Sequence, residues 1–139
     1  MVNTIVVGVD GSADSQRAVD WAAHLAEQTG ARVIAVHAVG LLEHELGDPG
    51  GAHLRPQLDA WTAALDRLDA ARVERRLVGA EPVGAISDVV ADCGDDVVVV
   101  VGTRGTGVRG AARLGSTSLR LAESCRCPTV IVPQADEPA

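Results

Sequence analysis

From Thr4 to Val9 the chain is a short β-branched apolar run that stops at Asp10-Gly11-Ser12, a turn sequence with a helical repeat behind it. Apolar residues at Ala18, Val19, Trp21, Ala22, Leu25 and Ala26 predict a helix from about Ala13 to Thr29. Ser12 or Asp14 would cap it and Gly30 would stop it. A second strand follows over Arg32 to Val39. Gly40 to His53 has no apolar period and reads as a flexible connection, ahead of a helix from about Leu54 to Ala70 marked by Trp61, Leu65 and Leu68. Val73 to Val78 alternates apolar and charged residues, as expected of a strand near a sheet edge. A third helix is predicted from Pro82 through Ile86, Val89 and Val90 to Cys93, ending at Gly94. Val97 to Val101 is apolar at every position, the mark of a central parallel strand covered on both faces. A glycine-rich segment, a helix from about Ser116 to Arg126 and a last strand, Thr129 to Val132, complete the pattern, and Pro133 closes it. Strands alternate with helices throughout, so the expected architecture is a parallel, doubly wound α/β sheet of five strands with helices on both faces. One domain would span residues 1–133, with 134–139 as a mobile tail.

The length of 139 residues suits a single domain with a sizeable core. Aromatic residues make up 1% of it, two Trp with no Phe or Tyr, so core bulk must come from Val, Leu and Ile. That composition also excludes the exposed ring platforms on which single-stranded nucleic acid stacks. All twelve basic residues are arginine, which removes Schiff-base chemistry, the P-loop lysine and the kinase lysine together. The net charge of -7 argues against binding to nucleic acid or to an acidic membrane surface. The longest apolar run, Val97 to Val101, is far short of a membrane span. No export signal is visible and three cysteines are present, Cys93, Cys125 and Cys127, so reduced thiols in the cytoplasm are expected. A Cys125–Cys127 metal site would need further ligands, and none stands at a recognisable spacing.

In a doubly wound sheet the ligand sits beyond the carboxyl ends of the strands, where the strand order reverses. The segment after the valine strand therefore matters most. It carries five glycines from Gly102 to Gly115 and the arginines Arg104, Arg109 and Arg113, and it runs into Ser116-Thr117-Ser118 at a helix start. Glycines let backbone amides approach phosphates, and a helix N-terminus favours anions. The alternative is an ordinary surface loop; its position after the most buried strand and before a helix favours anion binding.

The spacing of Gly102, two residues, Gly105, nine residues, and Gly115-Ser116 resembles the nucleotide-binding signature of the universal stress protein family. Val6-Val7-Gly8-Val9-Asp10-Gly11-Ser12 and Cys127-Pro128-Thr129-Val130-Ile131-Val132 extend the resemblance to essentially the whole chain. It implies a flavodoxin-like, adenine-nucleotide-hydrolase-like sandwich that binds ATP. On this resemblance Val9 lines the adenine slot and Asp10 contacts the adenosine portion. Ala38 is a further adenine contact, looser than the valine more usual there. Gly102, Gly105, Gly115 and Ser116 surround the ribose and phosphates, with Thr103, Arg104 and Thr117 as neighbours, and the Ser116 hydroxyl is a candidate for Mg²⁺. Asp95-Asp96 ahead of five valines shifts the acid that normally opens this strand. The resemblance also implies a homodimer, and pairing through Thr129 to Val132 would cover an exposed sheet edge.

Other readings stand beside these. Asp10 could cap the turn into the first helix. His37 reads as a satisfied core histidine, and Trp21 and Trp61 as core anchors. His44 and His53 with Glu43, Glu45 and Asp48 could hold a metal, though a solvated loop explains them as well. Arg75-Arg76 reads as a solvated face or a guard on the sheet edge. Phosphoryl transfer needs a positioned acid or base that the sequence does not display. The expectation is therefore an ATP-binding stress-response sensor or regulator, with hydrolysis slow if present. The alternative is a dimeric stress-linked interaction protein that binds no nucleotide.

Overall fold

The computed structural model describes residues 1–39, 52–103 and 115–134. Strands β1 (Thr4–Gly8), β2 (Arg32–Ala38), β3 (Val73–Val78), β4 (Val97–Gly102) and β5 (Thr129–Val132) form one sheet in the order β3-β2-β1-β4-β5. Every pairing is parallel. The intervening helices are α1 (Ala13–Thr29), α2 (Arg55–Trp61), α3 (Pro82–Asp92) and α4 (Ser116–Ser124). From β1 the chain builds outward to β2 and β3, then returns to add β4 and β5 on the other side, so the order reverses between β1 and β4.

Side chains alternate across a strand, and this divides the core in two. Ile5 and Val7, Val33 and Ala35, and Val98 and Val100 point to one face, where Ala18, Val19, Ala22 and Ala26 of α1 meet them with Leu58 and Leu65. Val6, Ile34 and Val36, with Val97, Val99 and Val101, point to the other and meet Val83, Ile86 and Val89 of α3 and Leu121 of α4. The register keeps each layer continuous, since Val6 lies beside Ile34 on one side and Val99 on the other. With both faces covered, β4 is buried along its whole length, as its uninterrupted valines require. Each such side chain contributes roughly 1.5–3 kcal/mol on burial.

Helix α1 has the predicted limits. Ser12 accepts a hydrogen bond from the Ser15 amide at 3.1 Å, and Gly30, at φ 76°, donates to the Ala26 carbonyl at 2.9 Å. Its buried stripe consists of small residues, which bring the helix close to the sheet. Trp21 lies off that stripe and is 39% exposed, so it is a surface residue and not a core anchor. Helix α4 stops at Ser124, two residues before the predicted Arg126, where Cys125 turns extended.

The predicted helix from Leu54 to Ala70 is instead three pieces: α2, then 3₁₀ turns over Ala63–Arg67 and Ala70–Arg72. The break falls at Thr62. Its hydroxyl donates to the Leu58 carbonyl at 2.7 Å and accepts from Arg75 Nε at 2.6 Å. Its carbonyl takes the Leu65 amide at 2.9 Å and an Arg75 guanidinium N–H at 3.1 Å. A guanidinium from β3 thus takes up the Thr62 carbonyl, and a local helical period cannot foresee it. Arg75 is accordingly a tie between β3 and the segment over it, completed by Asp66 at 2.9 Å, and not a solvated residue. Arg76 does face outward on this edge strand, paired with Glu74 at 2.7 Å. That hydrogen bond, together with the guanidinium charge, holds the Glu74 carboxyl below its ordinary range against a small burial penalty.

Candidate functional site

A cleft opens at the carboxyl ends of β1 and β4, the point at which the strand order reverses. Val9, Ala38, Pro82, Ile86 and Val101 give it apolar walls, and Asp10, Ser15, Thr117 and Ser118 supply polar groups. Asp10 is the one carboxylate among the described lining residues.

The floor is fixed by backbone pairing beyond the end of β1. The Val9 amide donates to the Val36 carbonyl at 2.9 Å, and Nδ1 of His37 donates to the Val9 carbonyl at 2.7 Å. Because a carbonyl only accepts, Nδ1 is the donor of this bond. His37 is satisfied, as its sequence context predicts, but it lines the cleft where a core position was expected. Trp61 stands edge-on against it with ring centroids 5.2 Å apart. The same indole lies over Gly11, whose φ is 82°; a Cβ there would come within 2.6 Å of the ring. Trp61 therefore borders the first loop of the site while packing on the core layer beneath α1.

Asp10 has a turn role and a place in the cleft. Its Oδ1 accepts the Ser12 amide at 2.9 Å, closing the turn into α1, and the residue also lines the cleft. Gly102 ends β4 against the first turn of α1. A Cβ at this position would sit 2.6 Å from the Asp14 carbonyl oxygen, so close approach of a helix already demands glycine. The Gly102 carbonyl accepts from the Ser118 hydroxyl at 2.6 Å. Thr103 is held from two sides, its carbonyl by the Gly115 amide at 2.7 Å and its hydroxyl by the Val132 carbonyl at 3.1 Å. Both ends of the glycine-rich segment are thereby pinned together. Arg104 and Gly105, with Arg109 and Arg113, lie outside the described residues, as do Glu43, His44, Glu45 and Asp48.

Three helices present their first turns to the cleft through Ser15, Pro82 and Thr117. Two carry their own side-chain caps: Ser12 on α1, and Glu81 on α3, which accepts the Val83 and Gly84 amides at 3.1 and 2.7 Å. Burial pushes the Glu81 carboxyl up, but those amides and Arg120 at 3.2 Å outweigh it and hold the group below the usual carboxylate range. Helix α4 differs. Its cap is Gly115, which has no side chain to offer the first amides, and such a terminus is suited to an anion.

Of the anticipated residues, Val9, Asp10, Ala38, Gly102 and Thr117 line the cleft together. Thr103, Gly115 and Ser116 stand beside it where α4 begins. The sequence reading did not include Gly8, Ser15, Pro82, Ile86 and Ser118. Gly8 and Ser15 flank the recognised Asp10 turn and could have been found from it. Pro82 and Ile86 enter from α3, and only the crossing of that helix over the sheet brings them in. Among the described residues no group of three or more His, Cys, Asp or Glu is arranged to hold a metal. No helix among them is long and apolar enough to cross a membrane.

Residues 1–133 match the model of the universal stress protein family. A universal stress protein of Thermus aquaticus is 30% identical, over 95% of this chain and 99% of its own length. A universal stress protein of Mycobacterium tuberculosis is 35% identical over 95% of this chain, which spans 48% of that relative's length. Among solved structures, a universal stress protein in complex with cAMP superposes with a TM-score of 0.75 at 29% identity, covering 96% of this chain and 98% of that one. The Lactobacillus plantarum UspA structure, 21% identical, superposes with a TM-score of 0.80 over 94% of this chain and 97% of its own, and speaks for the fold. Sequence, sheet order and cleft thus agree, and the chain belongs to the universal stress protein family.

Proposed function

We propose that this stress protein binds an adenine nucleotide, ATP, in the cleft between β1 and β4. The observation that carries the reading is the start of α4: it opens at Gly115 without a side-chain cap, while the two other helices bordering the cleft are capped by their own residues. The amides of Ser116 and Thr117 are the phosphate donors, with Gly102 and Thr103 at that end of the site, and the family resemblance adds Arg104 and Gly105 as ligand contacts. The base occupies the apolar walls formed by Val9, Ala38, Pro82, Ile86 and Val101, with Asp10 toward the ribose. A relative of 29% identity is solved in complex with cAMP, which supports an adenine ligand. The Ser116 hydroxyl is the group this chain offers to Mg²⁺ accompanying the phosphates.

The role is that of a nucleotide-dependent sensor or regulator and not of a catalyst. Among the described lining residues, Asp10 closes its turn through Oδ1 and His37 donates through Nδ1 to Val9, so the reading gives both a positioning role and leaves any hydrolysis slow. Two chains pair through β5, an edge strand whose Thr129, Val130 and Ile131 are half-buried. Release and chromatography of the nucleotide that copurifies with the protein tests the ligand class. An adenine nucleotide in stoichiometric amount supports the reading, and a flavin or a guanine nucleotide contradicts it.

A further inference from the structure

Cys125 and Cys127 lie at the opposite end of the sheet from the cleft, in the link between α4 and β5. Their sulfurs are 3.2 Å apart and hydrogen-bonded. The backbone is tied at Cys125 and again just after Cys127. The Cys125 amide closes the last turn of α4 on the Leu121 carbonyl at 2.9 Å, and the Pro128 carbonyl accepts the Val99 amide at 2.9 Å. Cys127 also lines a cavity at the amino ends of the strands, together with Arg126, Pro128, Val97 and Asp96. The cavity reaches the pair on the Cys127 side, and Cys125 is itself partly exposed. Cys93 packs on the same core layer, but its thiol donates to the Val89 carbonyl at 3.1 Å within its own helix.

We propose that Cys125 and Cys127 form a thiol-oxidation site that closes to an intrachain disulfide on reaction with a low-molecular-weight disulfide such as glutathione disulfide. The Cys125 thiolate attacks one sulfur of the reagent, forming a mixed disulfide and expelling one glutathione thiolate. Cys127 then loses its proton to solvent and attacks the Cys125 sulfur. The bond between the two protein sulfurs forms, the bond to glutathione breaks, and a second glutathione thiolate leaves. Two protein thiols have given up two electrons and two protons, and one external disulfide has become two thiols.

The order of attack follows from the contact. Burial, and then the hydrogen bond and charge of Cys125, push the Cys127 thiol up to about 12, so Cys127 is the protonated partner while Cys125 is free. Once Cys125 is held in the mixed disulfide, its hydrogen bond and its charge no longer oppose ionisation of Cys127. This site is independent of nucleotide binding.

The test uses the full chain in glutathione buffers of increasing oxidation, quenched with N-ethylmaleimide and weighed intact. The reduced protein, with its three free cysteines, should take three maleimides. The oxidised protein should weigh two hydrogens less and take one, located on Cys93 by fragmentation. Cys125→Ser and Cys127→Ser should lose the closure and stop at a glutathione adduct or at two maleimides. Three maleimides on the wild type under the most oxidising buffer, a persistent glutathione adduct on it, or a disulfide that includes Cys93 or a second chain would each overturn the proposal. The wild-type measurement decides the matter even if a serine variant folds poorly.

Discussion

His37 and Val9 are joined across the carboxyl end of the sheet: Nδ1 of the ring donates to the Val9 carbonyl at 2.7 Å. Val9 lies one residue beyond β1, so its carbonyl has left the strand ladder and takes its partner from a side chain. The bond ties the end of β2 to the loop that carries Asp10. Replacing His37 by leucine leaves that carbonyl without its donor. Because the site is partly exposed, the loss should be about 1 kcal/mol. Urea denaturation should show a lower midpoint at unchanged slope, and nucleotide affinity should fall with it; an unchanged midpoint would mean that water replaces the imidazole at no cost.

Gly102 faces the backbone of α1. A Cβ there would stand 2.6 Å from the Asp14 carbonyl oxygen and 2.7 Å from its carbon, and backbone atoms of a capped helix start have little room to yield. Gly102→Ala should therefore destabilise the fold by about 1–3 kcal/mol through overpacking, before any effect on a ligand is counted. Thermal unfolding monitored by circular dichroism measures this directly. A variant as stable as the parent would show that the first turn of α1 can shift.

Thr62 is buried and its hydroxyl holds the Arg75 guanidinium at 2.6 Å. Thr62→Val keeps the shape and removes the acceptor, which should cost about 1.5–3 kcal/mol for a hydrogen bond to a charged group. Thr62→Ser retains the oxygen and should recover most of the loss. Equal stability of the valine and serine variants in denaturant titrations would contradict the role given to Arg75.

Glu81 caps α3 and pairs with Arg120, and its carboxyl is lowered in the folded state. The sign follows: the unfolded chain binds this proton more tightly, so the charged cap contributes stability above the ordinary glutamate pKa of about 4.3. That contribution is lost as pH falls through the lowered folded value. Glu81→Gln should thus be less stable than wild type at neutral pH and converge with it in acid. Parallel stability curves from pH 7 to pH 3 would show that the cap is not linked to this proton.

Most of the architecture was legible because parallel strands buried on both faces are written as apolar runs, and Val97 to Val101 has no other reading. The limits of α1 were legible because Ser12 and Gly30 are local signals. The misreadings arose where a distant residue decides. Trp21 shares the helical period of α1, but the small-residue stripe turned to the sheet leaves the indole outside. Trp61 does pack on the core as its spacing predicts, but its contacts with His37 and Gly11 come from two other elements. The break at Thr62 is made by an arginine thirteen residues away. In the cleft, Val9, Asp10, Ala38 and Gly102 are named through the family resemblance of the motifs at the strand ends, and Pro82 and Ile86 are not because their contribution depends on how α3 crosses the sheet.

The central claim is that a nucleotide phosphate takes the amides at the start of α4. Calorimetric titration of ATP into stripped protein, wild type beside Gly115→Val, tests it most directly. The wild type should saturate at one nucleotide per chain, and the variant, with a native far-UV spectrum, should give no binding heat, because its side chain occupies the place where phosphates approach. Normal binding by a folded Gly115→Val protein, or no heat from the wild type up to millimolar ATP, AMP or cAMP, would contradict the account.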